Sequence, residues 1–173
     1  MYLVISTSLN TNSRSRILAR YACDLLRSKD VECEWLDLAE YRLPLCDGGP
    51  CYEDPNAQHV NQLVQSAKGI LIAAPVYNYN LSAAAKNLIE LTGKSWTDKI
   101  VGFLCAAGGQ SSYMGVMALA NSLMLDFRAV ILPRFVYTTG ESFSGHEIAE
   151  TDVEQRTEEI VDQLIRFSTG LSQ

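Results

Sequence analysis

Three short stretches concentrate the groups able to hold a charged or flat ligand. Ser6 to Arg16, STSLNTNSRSR, brings hydroxyls and side-chain amides together just ahead of a helical pattern. Ser6, Thr7, Ser8, Asn10, Thr11, Asn12, Ser13 and Ser15, with the free main-chain N–H groups of a helix start, can surround an anion, and the helix dipole favours negative charge at that end. One helix cap needs one side chain, so Ser13 alone does not account for the series. Arg14 and Arg16 stand in the first turn, where cations oppose the dipole and a phosphate would relieve the conflict. Arg14 is read as facing the anion and Arg16 as pointing to solvent.

The second stretch, PVYNYNLS from Pro75 to Ser82, turns a strand into a helix through two Tyr and two Asn residues. Main-chain groups of a tight turn over 78–81 can read the polar edge of a flat aromatic ring, while Tyr77 or Tyr79 covers its apolar surface. Asn78 and Asn80 tolerate left-handed backbone, which lets the turn fold back towards a ligand. The third stretch, AAGGQSSYMG from Ala106 to Gly115, carries Gly108 and Gly109, where main chain can approach a ligand with no Cβ in the way.

Other chemistries find little support. Neither G-x-G-x-x-G nor a Walker A sequence is present; Gly93-Lys94-Ser95 imitates the end of the latter, but Leu88 stands where its first Gly would fall. GESFSG, from Gly140 to Gly145, misses G-x-S-x-G by one residue. His59 and His146 have no neighbours that would mark a base. Five cysteines in no framework spacing suggest reduced thiols: Cys23, Cys33 and Cys105 are expected in the core, and Cys46 and Cys51 in a turn, with no metal site. A net charge of −6 with fourteen scattered Lys and Arg argues against nucleic acid. No apolar stretch is long enough to span a bilayer and no secretory signal precedes Tyr2, so the expectation is a cytoplasmic protein without a membrane partner.

The elements that must position these stretches follow from periodicity. Tyr2–Ile5 reads as a strand, 13–29 as a helix, 31–38 as a strand, 54–68 as a helix begun by Asp54-Pro55, and 69–74 as a buried parallel strand. The helix beginning near Leu81 comes next, then strand 99–106, helix 111–127, strand 129–137 and helix 152–168. One domain over 1–173 is expected. Five strands alternating with five helices predict an α/β three-layer sandwich, a doubly wound parallel sheet of order 2-1-3-4-5 with helices on both faces. Ligands of such sheets bind beyond the carboxyl ends of the strands, which is where the three stretches fall. Apolar residues cover more of the 114–127 helix than one sheet-facing stripe would, which points to a subunit contact.

PVYNYNLSAAAKNLIE, from Pro75 to Glu90, resembles the PEYNxSxPxxLKNxID signature of the NADPH-dependent FMN reductase family, matching at Pro75, Tyr77, Asn78, Lys86, Asn87, Ile89 and the acidic Glu90. ISTSLNTNSRSR is similar to the family's ISGSLRxxSxNR phosphate loop at Ser6, Ser8, Leu9, Ser13 and Arg16. Asn10 stands where the family has Arg, Thr7 where it has Gly and Ser15 where it has Asn; Val76 and Ser82 replace Glu and Pro. The resemblance implies a flavodoxin-like fold and FMN held by Ser6, Ser8, Asn10, Ser13, Arg14 and Ser15, by Pro75, Val76, Tyr77, Asn78, Tyr79 and Asn80, and by Ala107, Gly108, Gly109, Gln110 and Tyr113. It also implies a ping-pong oxidoreductase with no catalytic side chain: NADPH or NADH reduces FMN, then free flavin, a quinone, an azo compound or a metal oxyanion accepts. A homodimer or homotetramer belongs to the same expectation. The alternative is a flavodoxin-type electron carrier that binds FMN and a protein partner without reductase activity.

Overall fold

The computed structural model describes residues 1–171. Its elements are β1 (Tyr2–Ser6), α1 (Arg14–Ser28), β2 (Cys33–Asp37), α2 (Pro55–Ser66), β3 (Gly69–Tyr77), β4 (Asn80–Leu81), α3 (Ala83–Thr92), β5 (Ile100–Ala106), α4 (Met117–Phe127), β6 (Val130–Ile131), β7 (Val136–Thr138), β8 (Phe143–Ser144), β9 (Glu147–Ile148) and α5 (Thr151–Gly170). The main sheet runs β2-β1-β3-β5, with β6 and β7 both parallel to β5. That is the expected parallel order, with the fifth strand divided. Pro133 and Arg134 divide it: Pro has no N–H for the ladder, and Arg134 adopts φ 57°. Two further departures are β4, a two-residue antiparallel addition to β3, and the separate β8–β9 hairpin.

Burial on both sheet faces follows from side-chain alternation along the central strands. Leu3, Ile5, Ile70, Ile72, Val101 and Phe103 enter one core with α2, α3 and α4. Tyr2, Val4, Leu71, Ala73 and Leu104 enter the other, against α1 and α5. Gly102 is required where β5 packs under α5: a Cβ there would sit 2.8 Å from Leu71 Cδ2, 3.1 Å from Ile160 Cδ1 and 3.2 Å from Leu132 Cδ1. All three neighbours are buried, so Gly102→Ala is expected to cost about 1–2 kcal/mol of unfolding free energy by overpacking, measurable by urea titration.

The helix boundaries follow local chemistry. Ser13 caps α1 by accepting the Arg16 N–H, and Asp54 caps α2 by accepting the N–H groups of Asn56 and Ala57 with Pro55 in the first turn. The predicted 111–127 helix is split: Gln110–Val116 is 3₁₀, and α-helix begins only at Met117. Cys23 and Cys105 are buried as expected, whereas Cys33 is only half-buried because β2 is an edge strand.

Candidate functional site: a cleft at the carboxyl rim of the sheet

The carboxyl ends of β1, β3 and β5 open into a cleft of about 830 Å³. Asn10, Asn12, Ser13, Arg14 and Ser15 line it from the first loop, Pro75 to Asn78 from the second, and Ala106, Ala107 and Gly108 from the third. Three stretches separated by about 30 residues or more in sequence thus share one cavity, as a doubly wound sheet requires.

The first loop is bound down by hydroxyls. Thr7 donates its N–H (2.9 Å) and its Oγ1 (3.1 Å) to the Ala73 carbonyl, and Thr7 Oγ1 lies 3.3 Å from Ser82 Oγ. Since Ser82 also caps α3 and donates its Oγ to the Thr7 carbonyl at 3.5 Å, Thr7 and Ser82 join loops one and two. Asn10 then shapes the rim: its Oδ1 accepts the Asn12 N–H at 3.0 Å and its carbonyl accepts the Ser13 N–H. The outcome is an α1 N-terminus open to the cleft, flanked by Ser13 and Ser15 hydroxyls 3.4 Å apart, with no acid in its first turn. Such a donor set, with the Arg14 cation beside it, suits a phosphomonoester.

Arg14 is exposed on the rim and folds over Gly140: a Cβ on Gly140 would lie 2.5 Å from the guanidinium. It forms the partition between the cleft and an adjoining cavity of about 630 Å³ lined also by Gly108, Gly109, Gln110 and Thr139. Arg16 corrects the expectation of a solvent-facing side chain. It is 8% exposed and ion-pairs with Asp37, which is fully buried at the end of β2, and at 3.5 Å with Glu40. Its guanidinium also donates to the Thr11 carbonyl at 3.4 Å, so it supports the cup from behind.

The second loop is a two-residue hairpin. Asn78 and Tyr79 have φ 49° and 63°, the pattern of a type I′ turn, and Tyr77 pairs with Asn80 and Val76 with Leu81. The left-handed pair is therefore Asn78 with Tyr79, instead of Asn78 with Asn80. A Tyr at positive φ is uncommon and is held here from outside. Gly115 supplies that support: a Cβ on it would meet Tyr79 C at 3.0 Å, Tyr79 O at 3.1 Å and Asn80 N at 3.2 Å. Gly115 did not stand out among the third-loop residues, since only the fold brings it to the turn.

In the third loop, the Ala107 N–H donates to the Thr138 carbonyl and Tyr137 Oη to the Gly109 carbonyl, which fixes the main chain beside the cleft. Burial raises the Tyr137 hydroxyl pKa above its ordinary value, keeping it a donor. Tyr113 packs on Phe135 (4.8 Å between centroids) and edge-on to Tyr137 (5.3 Å). Of the residues singled out from the sequence, Ser6 and Ser8 are buried outside the cleft lining, and Tyr79, Asn80 and Tyr113 are exposed but outside it too. Three unanticipated residues line it: Ile17 on α1, and Gly145 and His146 at the tip of the β8–β9 hairpin. Local sequence marks the hairpin, with Gly145 at φ 60°, but not where it docks.

The residues present fit FMN. The cup offers neutral and cationic donors for a phosphate, an 830 Å³ cleft falls within the usual range for a cofactor, and Ala107-Gly108 and Tyr77-Asn78 bring main chain to its walls. A further orphaned buried polar atom, Ser6 Oγ, sits at the end of β1 with no hydrogen-bond partner among the described residues.

Comparison with known proteins agrees with this geometry. The sequence profile of NADPH-dependent FMN reductases matches residues 2–143. An NAD(P)H-dependent FAD/FMN reductase of Geobacillus thermodenitrificans is 25% identical, covering 82% of this chain and 78% of its own. An NADPH azoreductase of a Bacillus species is 27% identical over 94% of this chain and 89% of its own. Among solved structures, FerB, a flavoenzyme NAD(P)H:acceptor oxidoreductase of Paracoccus denitrificans, superposes with a TM-score of 0.80 at 17% identity, covering 98% of this chain and 97% of that one. With a matching profile over most of its length, and a flavodoxin-like sheet that opens a phosphate-suited cleft at its carboxyl rim, the chain belongs to the NADPH-dependent FMN reductase family of FMN-dependent oxidoreductases.

Proposed function

We propose that residues 1–173 form a single FMN-binding domain, an NAD(P)H-dependent oxidoreductase that works by a ping-pong scheme. NADPH or NADH is the donor, and free flavin, a quinone, an azo compound or a metal oxyanion the acceptor. One observation carries the reading: the unopposed α1 N-terminus with Arg14, and the backbone of the Tyr77-Asn78 turn, face the same cleft. Bound FMN supplies hydride acceptance and onward electron transfer. The chain's residues bind and orient: Asn10, Ser13, Arg14 and Ser15 take the phosphate, while Pro75 to Asn78 and Ala107 to Gly108 border the ring. The matched azoreductase supports an aromatic acceptor in this scheme.

Met114 is 48% exposed, Met124 37% and Leu125 85%, a run of apolar surface on and before α4 that suits a homodimer or homotetramer contact. No helix among the described residues is long and apolar enough to cross a membrane, and all five cysteines are free thiols. We place the enzyme in the cytoplasm.

A visible-range titration of the purified protein with FMN, then anaerobic addition of NADPH or NADH, tests the proposal. Saturable binding followed by bleaching supports it, and double-reciprocal rate plots should be parallel; intersecting lines would remove the ping-pong scheme. Asn78→Gly is the cleanest probe of the turn, because Ala at φ 49° would strain the backbone and Gly does not. FMN affinity should fall roughly tenfold, about 1.4 kcal/mol, with little change in the unfolding midpoint. Unchanged affinity would place the Asn78 side chain outside the site.

A further inference from the structure

Cys23 and Cys33 lie outside the cleft and take no part in the reading above. Cys23 is buried on the sheet-facing side of α1, and Cys33 is the first residue of the edge strand β2. Their sulfurs are 3.2 Å apart. A bonded pair stands about 2.05 Å apart, so each thiol has to move by roughly half an ångström to close. A cavity of about 310 Å³, lined by Arg20, Cys23, Asp24, Arg27 and Trp35, opens onto Cys23 and is large enough for a small oxidant.

The other cysteines differ. Cys105 is fully buried and its thiol is pushed up to about 12 by burial. Cys46 and Cys51 are engaged in their turn, the first 3.4 Å from Tyr52 Oη and the second accepting the Asp47 N–H.

We propose that Cys23 and Cys33 form a redox-modification site at which hydrogen peroxide converts two thiols into a reversible disulfide joining α1 to β2. The hydrogen bond from Cys33, followed by the charge of Arg27, lowers the Cys23 pKa against the opposing effect of burial, while the same hydrogen bond and burial raise that of Cys33. Cys23, the member of the pair that lines the cavity, is the attacking thiol and reacts as its thiolate. It attacks one peroxide oxygen: an S–O bond forms, the O–O bond breaks, the sulfur is oxidised by two electrons and the departing oxygen leaves as water after protonation. Cys33 sulfur then attacks Cys23 sulfur, the S–S bond forms, the S–O bond breaks and a second water departs. Overall, two thiols and one hydrogen peroxide give one disulfide and two waters. The bond would span the α1–β2 turn, where Asp30 holds φ 55°, and would constrain the unfolded chain.

The test uses the flavin-loaded protein treated with hydrogen peroxide, quenched, unfolded and alkylated. Expected are the loss of two of the five thiols, a peptide pair linked through Cys23 and Cys33, recovery of both thiols with dithiothreitol, and a higher melting midpoint for the oxidised form. Cys33→Ser, at a half-buried position that tolerates a hydroxyl, should give no linked peptide and no midpoint shift. Five intact thiols, a linkage elsewhere, or stepwise oxygen addition at Cys23 with Cys33 still free would each overturn the site. Because the readout is covalent, it is independent of reductase activity.

Discussion

Replacing Asp37 by Ala should lower the unfolding free energy by about 3–5 kcal/mol, read as a large drop in the urea midpoint. Asp37 is fully buried and faces the guanidinium of Arg16, itself only 8% exposed. Removing the carboxylate leaves a cation in the interior with Glu40, a largely exposed group at 3.5 Å, as its remaining acidic partner. The Ala39 N–H, which Asp37 Oδ1 accepts at 3.1 Å, loses its cap as well. Exchanging both members of the pair, Arg16→Met with Asp37→Leu, should recover much of the loss, because the penalty comes from an unpaired charge and not from the absence of an ion pair. The cup should also suffer in the single variant. Arg16 donates to the Thr11 carbonyl, so FMN affinity is expected to fall even at temperatures where the protein stays folded.

The second large effect concerns the phosphate. FMN should bind roughly 100-fold more tightly than riboflavin, about 2.7 kcal/mol, since charge-assisted hydrogen bonds to α1 and Arg14 are lost with the phosphate. Arg14→Ala should narrow the gap by roughly tenfold while leaving riboflavin binding unchanged, because the side chain is exposed and carries little of the fold. Flavin-fluorescence titrations of both ligands against both proteins measure this directly. Equal affinities in the wild type would refute the phosphate cup, and an undiminished gap in the variant would assign the anion to the helix terminus alone.

Much of the architecture was legible because periodicity marks buried strands and amphipathic helices regardless of partner. Gly69 to Ala74 reads as a covered parallel strand, and it is one, extended to Tyr77. What escaped depends on contacts between distant segments. A basic residue in a first turn looks exposed from sequence, and only the arrival of Asp37 from β2 buries Arg16. Pro133 carries a local warning of a broken strand, but β6 and β7 both return to β5, so the break leaves the sheet order intact. The site shows the same division. Loop composition pointed to the cup and the turn, whereas His146 reaches the cleft because a hairpin more than 60 residues beyond Asn78 packs there.

The meeting of Gly115 with Tyr79 has a mechanical consequence. The hairpin turn and the third loop touch main chain to main chain there, with no intervening side group to swing aside. Contact of that kind is indifferent to rotamer changes, so the way the turn presents Tyr77 and Asn78 to the cleft is set by backbone. A methyl group at position 115 would push that turn aside by a few tenths of an ångström, shifting one wall of the cleft without altering any residue that lines it.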